Sequence, residues 1–541
     1  MMKSITSRSV TISGVLAVSL LAGCQSGKEP GSEGASVAPT GGGKQEPVAL
    51  EWLGYDSYGQ PDPASPVIKM VEDKFNAKFK FWYVDPNKWD DNVNVRLGAG
   101  EMPDVIKVRT QKNLVNYIDQ GVLAPISRDL IDKFAPTYAK YLDTTYPETW
   151  DYVKSGGKLY GIPATTTPYS TLVVWREEWL KNVGITKVPE TLAEFEDALY
   201  KFRNNDPDKN GKKDTYGLSD FGIPAIMGAF GFPPIDDFSQ AAKANPTRAV
   251  GLTLKDGKIV FASIQPEMKE ALALLQKWYK DGIIDPEFIT SENTTGYWAN
   301  SQAFFNNRIG LTGKTQPAHW RNELNPDNPG DKGGVVWQDF KKAQPNGNIV
   351  FGKPPVGPKG LSGTPQWSSY NGAIGITTKA AKDPRKVETV LKMMEAAATD
   401  YEYYMNVRYG MKGEGWKEEN GKFIDLSGGL SAGDSQQKGR NVLHVQVNYD
   451  PFMKKKDPFT FSFGDKVAGF KGYMNMFLPY TDEYDKYAAT LGKMTVETYF
   501  KIITGEQGVE AFDEYVKKFK ESGGDKVEKA LNEAYQKTQG K

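Results

Sequence analysis

The 541-residue chain is 39 % hydrophobic and 25 % charged, a mix that excludes a disordered chain and a polytopic membrane protein and asks for two or three domains. Lys plus Arg and Asp plus Glu both number 67, so no cationic excess exists to grip nucleic acid. Two His (His319, His444) and one Cys (Cys24) leave almost no room for a His/Cys zinc site, a Cys–His nucleophile pair or a disulfide framework, whereas 27 Tyr, 26 Phe and 12 Trp suit a binder.

Lys3 and Arg8 precede an uncharged run from Ser9 to Ser26. Its apolar core, Val10 to Ala22, is too short and interrupted to span roughly 30 Å of hydrocarbon, and residues 1–23 read as a signal peptide. Leu21-Ala22-Gly23-Cys24 resembles the lipobox of bacterial lipoproteins, which implies acylation of Cys24. Residues 24–46 are expected to be the lipidated Cys and a Gly/Ser/Pro-rich tether, holding the folded part roughly 25 Å from the lipid. No later segment offers about 18 continuous apolar residues, so the rest is expected to face water outside the cell.

Val48, Leu50 and Trp52 alternate as a strand, Pro66 opens a helix with Ile68, Val71 and Phe75 on one face, and Phe79, Phe81 and Tyr83 repeat the strand period. This strand–helix–strand start predicts an α/β fold with a parallel sheet covered by helices. Thr191 and Glu194 form a capping box before the helical face Leu192, Phe195, Leu199 and Phe202. Further helices are expected at Met268–Tyr279, between Pro266 and Gly282, and at Val387–Met394. Two more lie near the C-terminus, separated by Gly523-Gly524. Trp150, Trp179 and Trp278 read as core.

Leu97-Gly98-Ala99-Gly100-Glu101-Met102-Pro103-Asp104-Val105 resembles the "LASGDLPDV" segment of extracellular solute-binding lipoproteins of ABC importers. The segments 121–126, 157–163, 175–180, 281–288 and 503–506 agree with that family in order across nearly the whole mature chain. The length resembles its large oligosaccharide-binding branch, which includes alginate-binding proteins. The resemblance implies a two-lobed, periplasmic-binding-protein-like α/β fold of type II character, with a hinge crossed more than once. Residues 47–163 plus 369–412 would form the first lobe and 164–368 plus 413–541 the second. It further implies a monomer, lipid-anchored on the extracellular face of the bacterial membrane, that closes on an oligosaccharide and delivers it to ABC permease subunits.

Asp206-Pro-Asp208-Lys-Asn210-Gly211-Lys212-Lys-Asp214 places oxygen donors at positions 1, 3, 5 and 9 with Gly at 6, three-quarters of an EF-hand. Position 12 is Gly217, which disfavours a true EF-hand. The alginate-binding relatives carry a similar calcium loop with an acidic residue where this chain has Thr215. A structural Ca²⁺ on Asp206, Asp208, Asn210, Asp214 and the Lys212 carbonyl is expected to bind weakly; a metal-free Asn/Asp/Gly turn is the alternative.

Sugars present apolar C–H faces and hydroxyl edges, so a cleft needs flat rings and planar polar groups at strand ends. Trp320 is the first candidate, since Gln316–Trp320 resembles the region that supplies a stacking Trp in maltose-binding proteins. Trp367, Tyr55, Tyr58, Arg408 (for a uronic carboxylate) and Trp416 follow. No residue is expected to be catalytic. The rival readings are a secreted glycosidase, a wall-polymer adhesin, and transport of a peptide-like cargo.

Overall fold

The computed structural model describes residues 46–290, 292–293, 297–470, 472–474 and 478–538. Cys24, the signal peptide and nearly all of the tether lie outside the described residues.

Strand β1 (Val48–Leu53) buries Leu50 and Trp52. Helix α1 (Pro66–Phe75) begins at a Pro whose fixed φ suits the first turn, buries Val67, Ile68 and Val71, and ends at Asn76 with φ 46°. Strand β2 (Ala77–Phe81) runs parallel to β1 with Val48 opposite Ala77 and Trp52 opposite Phe81. The strand period expected through Tyr83 stops at Phe81, and Tyr83 is exposed. Strand β3 (Val105–Val108) pairs parallel on the other side of β1 and leads into α2 (Gln111–Asp119). Strand β4 (Ile162–Thr165) is the last of this run.

The chain then crosses through β5 (Tyr169–Ser170) into a second sheet. There, β6 (Val173–Arg176) is followed by α3 (Leu192–Asn204), β7 (Tyr216–Leu218), α4 (Pro266–Lys280), β8 (Ile309–Thr312) and β9 (Ile349–Gly352), with sheet order β9-β6-β8-β7. Helix α3 carries the predicted capping box. Thr191 Oγ1 accepts from the Glu194 N–H, and the Glu194 carboxylate accepts from the Thr191 N–H.

Strand β10 (Pro365–Trp367) returns the chain to β11 (Tyr370–Ile376), which inserts antiparallel between β3 and β4 and completes the sheet β2-β1-β3-β11-β4. Helix α5 (Pro384–Thr399) buries Val390, Leu391 and Met394 in this lobe. After α6 (Asp450–Lys456), whose Phe452 and Met453 pack on the first core, α7 (Pro458–Val467) sets Phe463 against Phe351 of β9 at 5.5 Å. That is a third crossing. Strand β12 (Tyr473–Met474) joins β10 and β5 in a small hinge sheet, and α8 (Asp482–Thr504) enters the second core. Gly523, at φ 118°, breaks the C-terminal helices where expected.

The first sheet therefore organises one core and the second sheet two, in a two-lobed α/β fold. Trp150, Trp179 and Trp278 are buried in them as read. One expected boundary moves. The resemblance assigns residues 413 to about 453 to the second lobe, yet Trp416, Val442, Leu443 and Val447 belong to the first core. The reason is long-range hydrogen bonding: Trp52 Nε1 donates to the Val442 carbonyl at 2.9 Å and Ser65 Oγ to that of Lys438 at 2.7 Å, locking this segment onto β1 and α1. Among the described residues no helix is long and apolar enough to cross a membrane.

Candidate functional site

In an α/β sheet the carboxyl ends of parallel strands leave loop residues at one edge. Asp56 follows β1, Arg109 and Thr110 follow β3, and antiparallel β11 brings Tyr370 to Gly372 to the same edge. These residues, with Lys107, Asp90 and Asn113, line a polar cavity of about 360 Å³. Lys107 Nζ lies 2.6 Å from Asp56 Oδ2 and donates at 3.3 Å to Gln446 Oε1; Arg109 Nε lies 3.5 Å from Asp56 Oδ1. Gly372, at φ 83°, passes the Val108 carbonyl so closely that a Cβ would lie 2.7 Å from its oxygen. Asn113 donates to Asp90 at 2.7 Å, but its Oδ1 is buried with no partner among the described residues, as is the hydroxyl of Tyr370, stacked on Tyr152 at 4.2 Å. Unpaired polar atoms around a cavity are what a polar ligand satisfies, since leaving them bare costs about 1–3 kcal/mol each.

A larger cavity of about 650 Å³ lies at the hinge. Thr166, Asn448 and Met453 border it from the first lobe; Gln316, Pro317 and Ala318, just past β8, border it from the second. Tyr169 on β5 and Gln366 on β10 wall it at the crossing.

The second lobe's edge is aromatic and charged. Trp298 is half exposed, 6.1 Å from the His319 ring and 5.9 Å from Lys314 Nζ. His319 Nδ1 lies 3.0 Å from Thr315 Oγ1 and 3.3 Å from the Tyr297 hydroxyl, and burial lowers its pKa. Beneath lie three buried carboxylates. Burial would raise Asp237, but Lys314 at 2.5 Å more than offsets this and holds it low. Asp220 is pushed well above the usual range by burial and by Asp237, although it accepts from the Phe238 and Ser239 N–H groups. Burial raises Glu292 to about 7; it accepts from the Phe221 N–H at 2.7 Å, Thr312 Oγ1 at 3.2 Å and Ser301 Oγ.

Several expected ligand residues are placed elsewhere. Trp320 is fully buried, edge-on to Phe304 at 5.9 Å, with Nε1 donating to the Lys314 carbonyl at 2.9 Å, so no ring face remains for a ligand. Its short helix, Pro317–Trp320, turns the indole inward and leaves the preceding residues at the cavity. Tyr55 is fully buried and donates to the Trp82 carbonyl at 3.0 Å; its neighbour Asp56 reaches the polar cavity instead. Trp416 is fully buried, donating to Asn406 Oδ1 at 3.0 Å. Arg408 donates to the Val447 carbonyl and lies over Tyr404 at 4.5 Å, held by the first core instead of offered to a uronate. Tyr58 is exposed and Trp367 half exposed, the latter tilted on Tyr169 at 6.2 Å. Asp56, Lys107, Arg109, Asn113 and Tyr370, which line the polar cavity, are absent from the sequence-based candidates; for Asp56 and Arg109, position just past a parallel strand is the available signal.

In the 206–214 loop, Asp206 accepts from the N–H groups of Asn210 (3.0 Å) and Gly211 (2.9 Å). The Asn210 amide nitrogen lies 2.9 Å from Asp208 Oδ2 and 3.2 Å from Asp214 Oδ1, while Lys212 donates its N–H to Asn210 Oδ1 at 2.8 Å. Asp208 Oδ1 is buried without a partner among the described residues, and burial together with Asp206 raises this carboxyl. Among the described residues no group of three or more His, Cys, Asp or Glu is gathered closely enough to hold a metal ion. The expected ligands thus share a loop of hard oxygen donors that is closed on its own amides.

The family profile of bacterial extracellular solute-binding proteins matches residues 67–389. The chain belongs to this family. Among its relatives, lipoprotein LipO of Bacillus subtilis (strain 168) is 25 % identical over 489 residues, covering 88 % of this chain and 90 % of LipO. The fructooligosaccharide ABC transporter substrate-binding protein FusA of Streptococcus pneumoniae serotype 4 is 25 % identical over 263 residues, 45 % of this chain and 46 % of FusA. The crystal structure of alginate-binding protein AlgQ2 without calcium ion superposes with a TM-score of 0.59 at 18 % identity, over 91 % of this chain and 99 % of AlgQ2, and so shares the two-lobed solute-binding fold.

Proposed function

We propose that this solute-binding protein captures an oligosaccharide between its lobes, without chemical change, and delivers it to an ABC permease. The observation that carries the reading is the hinge cavity bordered by both lobes, together with the polar first-lobe cavity where Asn113 Oδ1 and the Tyr370 hydroxyl lack partners. Paired charges, amides and hydroxyls beside half-open aromatic rings match the hydroxyl edges and C–H faces of sugars. The name of the relative FusA, a fructooligosaccharide-binding protein, supports the same ligand class. Ligand contacts from both lobes stabilise the closed form, the form a permease would recognise.

The lipobox-like end at Cys24 and the lipoprotein name of LipO support anchoring to the outer face of the membrane through acyl chains; the anchored protein is taken to be a monomer. A structural calcium in the 206–214 loop is the further part of this reading. Asp206, Asp208 and Asp214 would supply hard oxygens once their contacts to the Asn210 and Gly211 amides open, and the orphaned Asp208 Oδ1 is one that such a cation would satisfy.

The test is calorimetric titration of the protein with fructo-, xylo- and galacturono-oligosaccharides, combined with small-angle scattering. Binding of one class with a fall in radius of gyration, and recovery of the sugar intact after prolonged incubation, supports capture. Binding of none overturns it, and shortening of the sugar would point to a hydrolase.

A further inference from the structure

Beside the hinge sheet a second, smaller cavity of about 250 Å³ opens on the second lobe. Trp367, Phe232 and Tyr473 form its apolar walls, and Asp236 with Arg248 lines it too. The two charged groups are locked in a two-point pair, Arg248 Nε to Asp236 Oδ1 at 3.1 Å and Nη2 to Oδ2 at 2.5 Å, with side chains about one-quarter exposed (28 % and 24 %). Gln366 borders both this cavity and the hinge cavity. Tyr169, a wall of the hinge cavity, packs against the Trp367 indole at 6.2 Å.

We propose that this crevice holds one further, uncharged sugar ring of the ligand whose main part lies in the hinge cavity, an assignment that rests on the capture reading above. Three features carry it. Trp367 is 47 % exposed in a protein whose other large rings are mostly buried, so it keeps an open aromatic surface for C–H stacking. The pre-aligned Arg–Asp pair presents planar donors and acceptors to vicinal hydroxyls while cancelling its own charge, so a uronate carboxylate finds no unpaired cation in that pair. The volume lies below the roughly 300–1,000 Å³ of sites for drug-sized ligands, which suits one ring and not a chain. Gln366, shared by both cavities, marks the path of the glycosidic linkage.

Fructo-, xylo- and galacturono-oligosaccharides of two to six units, titrated into the wild-type protein and into Trp367→Ala and Trp367→Tyr, test this. The wild type is expected to gain affinity as a neutral chain grows long enough to reach the crevice. In Trp367→Ala the ratio of long-chain to short-chain affinity falls about tenfold, and in Trp367→Tyr most of it returns. An unchanged ratio in Trp367→Ala overturns the subsite, and a length-dependent gain confined to galacturonates overturns its neutral assignment. If no oligosaccharide of any length binds the wild type, the capture reading fails first and this extension falls with it.

Discussion

Lys107 on β3 and Asp56 beyond β1 meet at 2.6 Å, and Arg109 lies 3.5 Å from the other Asp56 oxygen, so one carboxylate holds two cations at the polar edge of the first sheet. The Lys107 side chain is only 7 % exposed, whereas that of Asp56 is 25 % exposed. Removing Asp56 strands a desolvated ammonium whose remaining acceptor is Gln446. Asp56→Ala is expected to cost about 1–3 kcal/mol, below the cost for a fully buried pair because water reaches this one. It should also weaken oligosaccharide binding at least about tenfold, because the cavity wall loses its fixed geometry. Chemical denaturation and calorimetry check the two effects; unchanged affinity with reduced stability would remove this cavity from the site.

Trp320→Ala tests the packing assignment directly. Because the indole fills the space beside Phe304 and Phe305, truncation should cost about 3–5 kcal/mol of stability. Trp320→Phe should recover much of that loss and bind oligosaccharide with affinity close to wild type. A selective affinity loss in Trp320→Phe with normal melting would restore the stacking role.

The buried carboxyl of Glu292 gives a pH dependence of defined sign. Its pKa is raised in the folded protein from 4.5 to about 7, so folding favours the protonated form. Stability from this group is full below about pH 4.5 and is lost as pH rises through 7, on the order of 3 kcal/mol in total. Asp220, also raised, acts in the same direction, whereas Asp237, held low by Lys314, is ionised in both folded and unfolded chains above about pH 5 and leaves this window unchanged. Melting curves from pH 5 to 8 should therefore fall less steeply in Glu292→Gln than in the wild type; parallel curves would contradict the assignment.

Calcium should raise the melting temperature and a chelator should lower it if the 206–214 loop is the binding site. Asp208→Ala removes both the orphaned Oδ1 and the carboxylate nearest Asn210, so it should abolish the difference between the two conditions. A calcium effect of full size in that variant would place the ion elsewhere.

Much of the fold was legible because it depends on short-range patterns. Pro66 opens α1, the Thr191–Glu194 box starts α3, and Gly523 breaks the last helices through its own φ. The site was less legible. Tyr55 and Asp56 are adjacent, yet one goes to the core and the other to the cavity; Gln316 to Ala318 and Trp320 part in the same way within a single turn. A shift of one residue changes the face a side chain presents, and single-residue phase in a loop is set by what packs against it.

The amino-acid order by itself determined the α/β character, the capped helix starts and the oxygen-rich composition of the acidic loop, because each rests on backbone propensity, caps or local spacing; the family came from the resemblance of several segments in order. Only the tertiary structure decided which rings stay open and which are buried, and that residues 413 to about 453 join the first lobe. Those outcomes turn on contacts between residues hundreds of positions apart, such as Trp52 with Val442 and Lys107 with Gln446, and no local pattern encodes such a pairing.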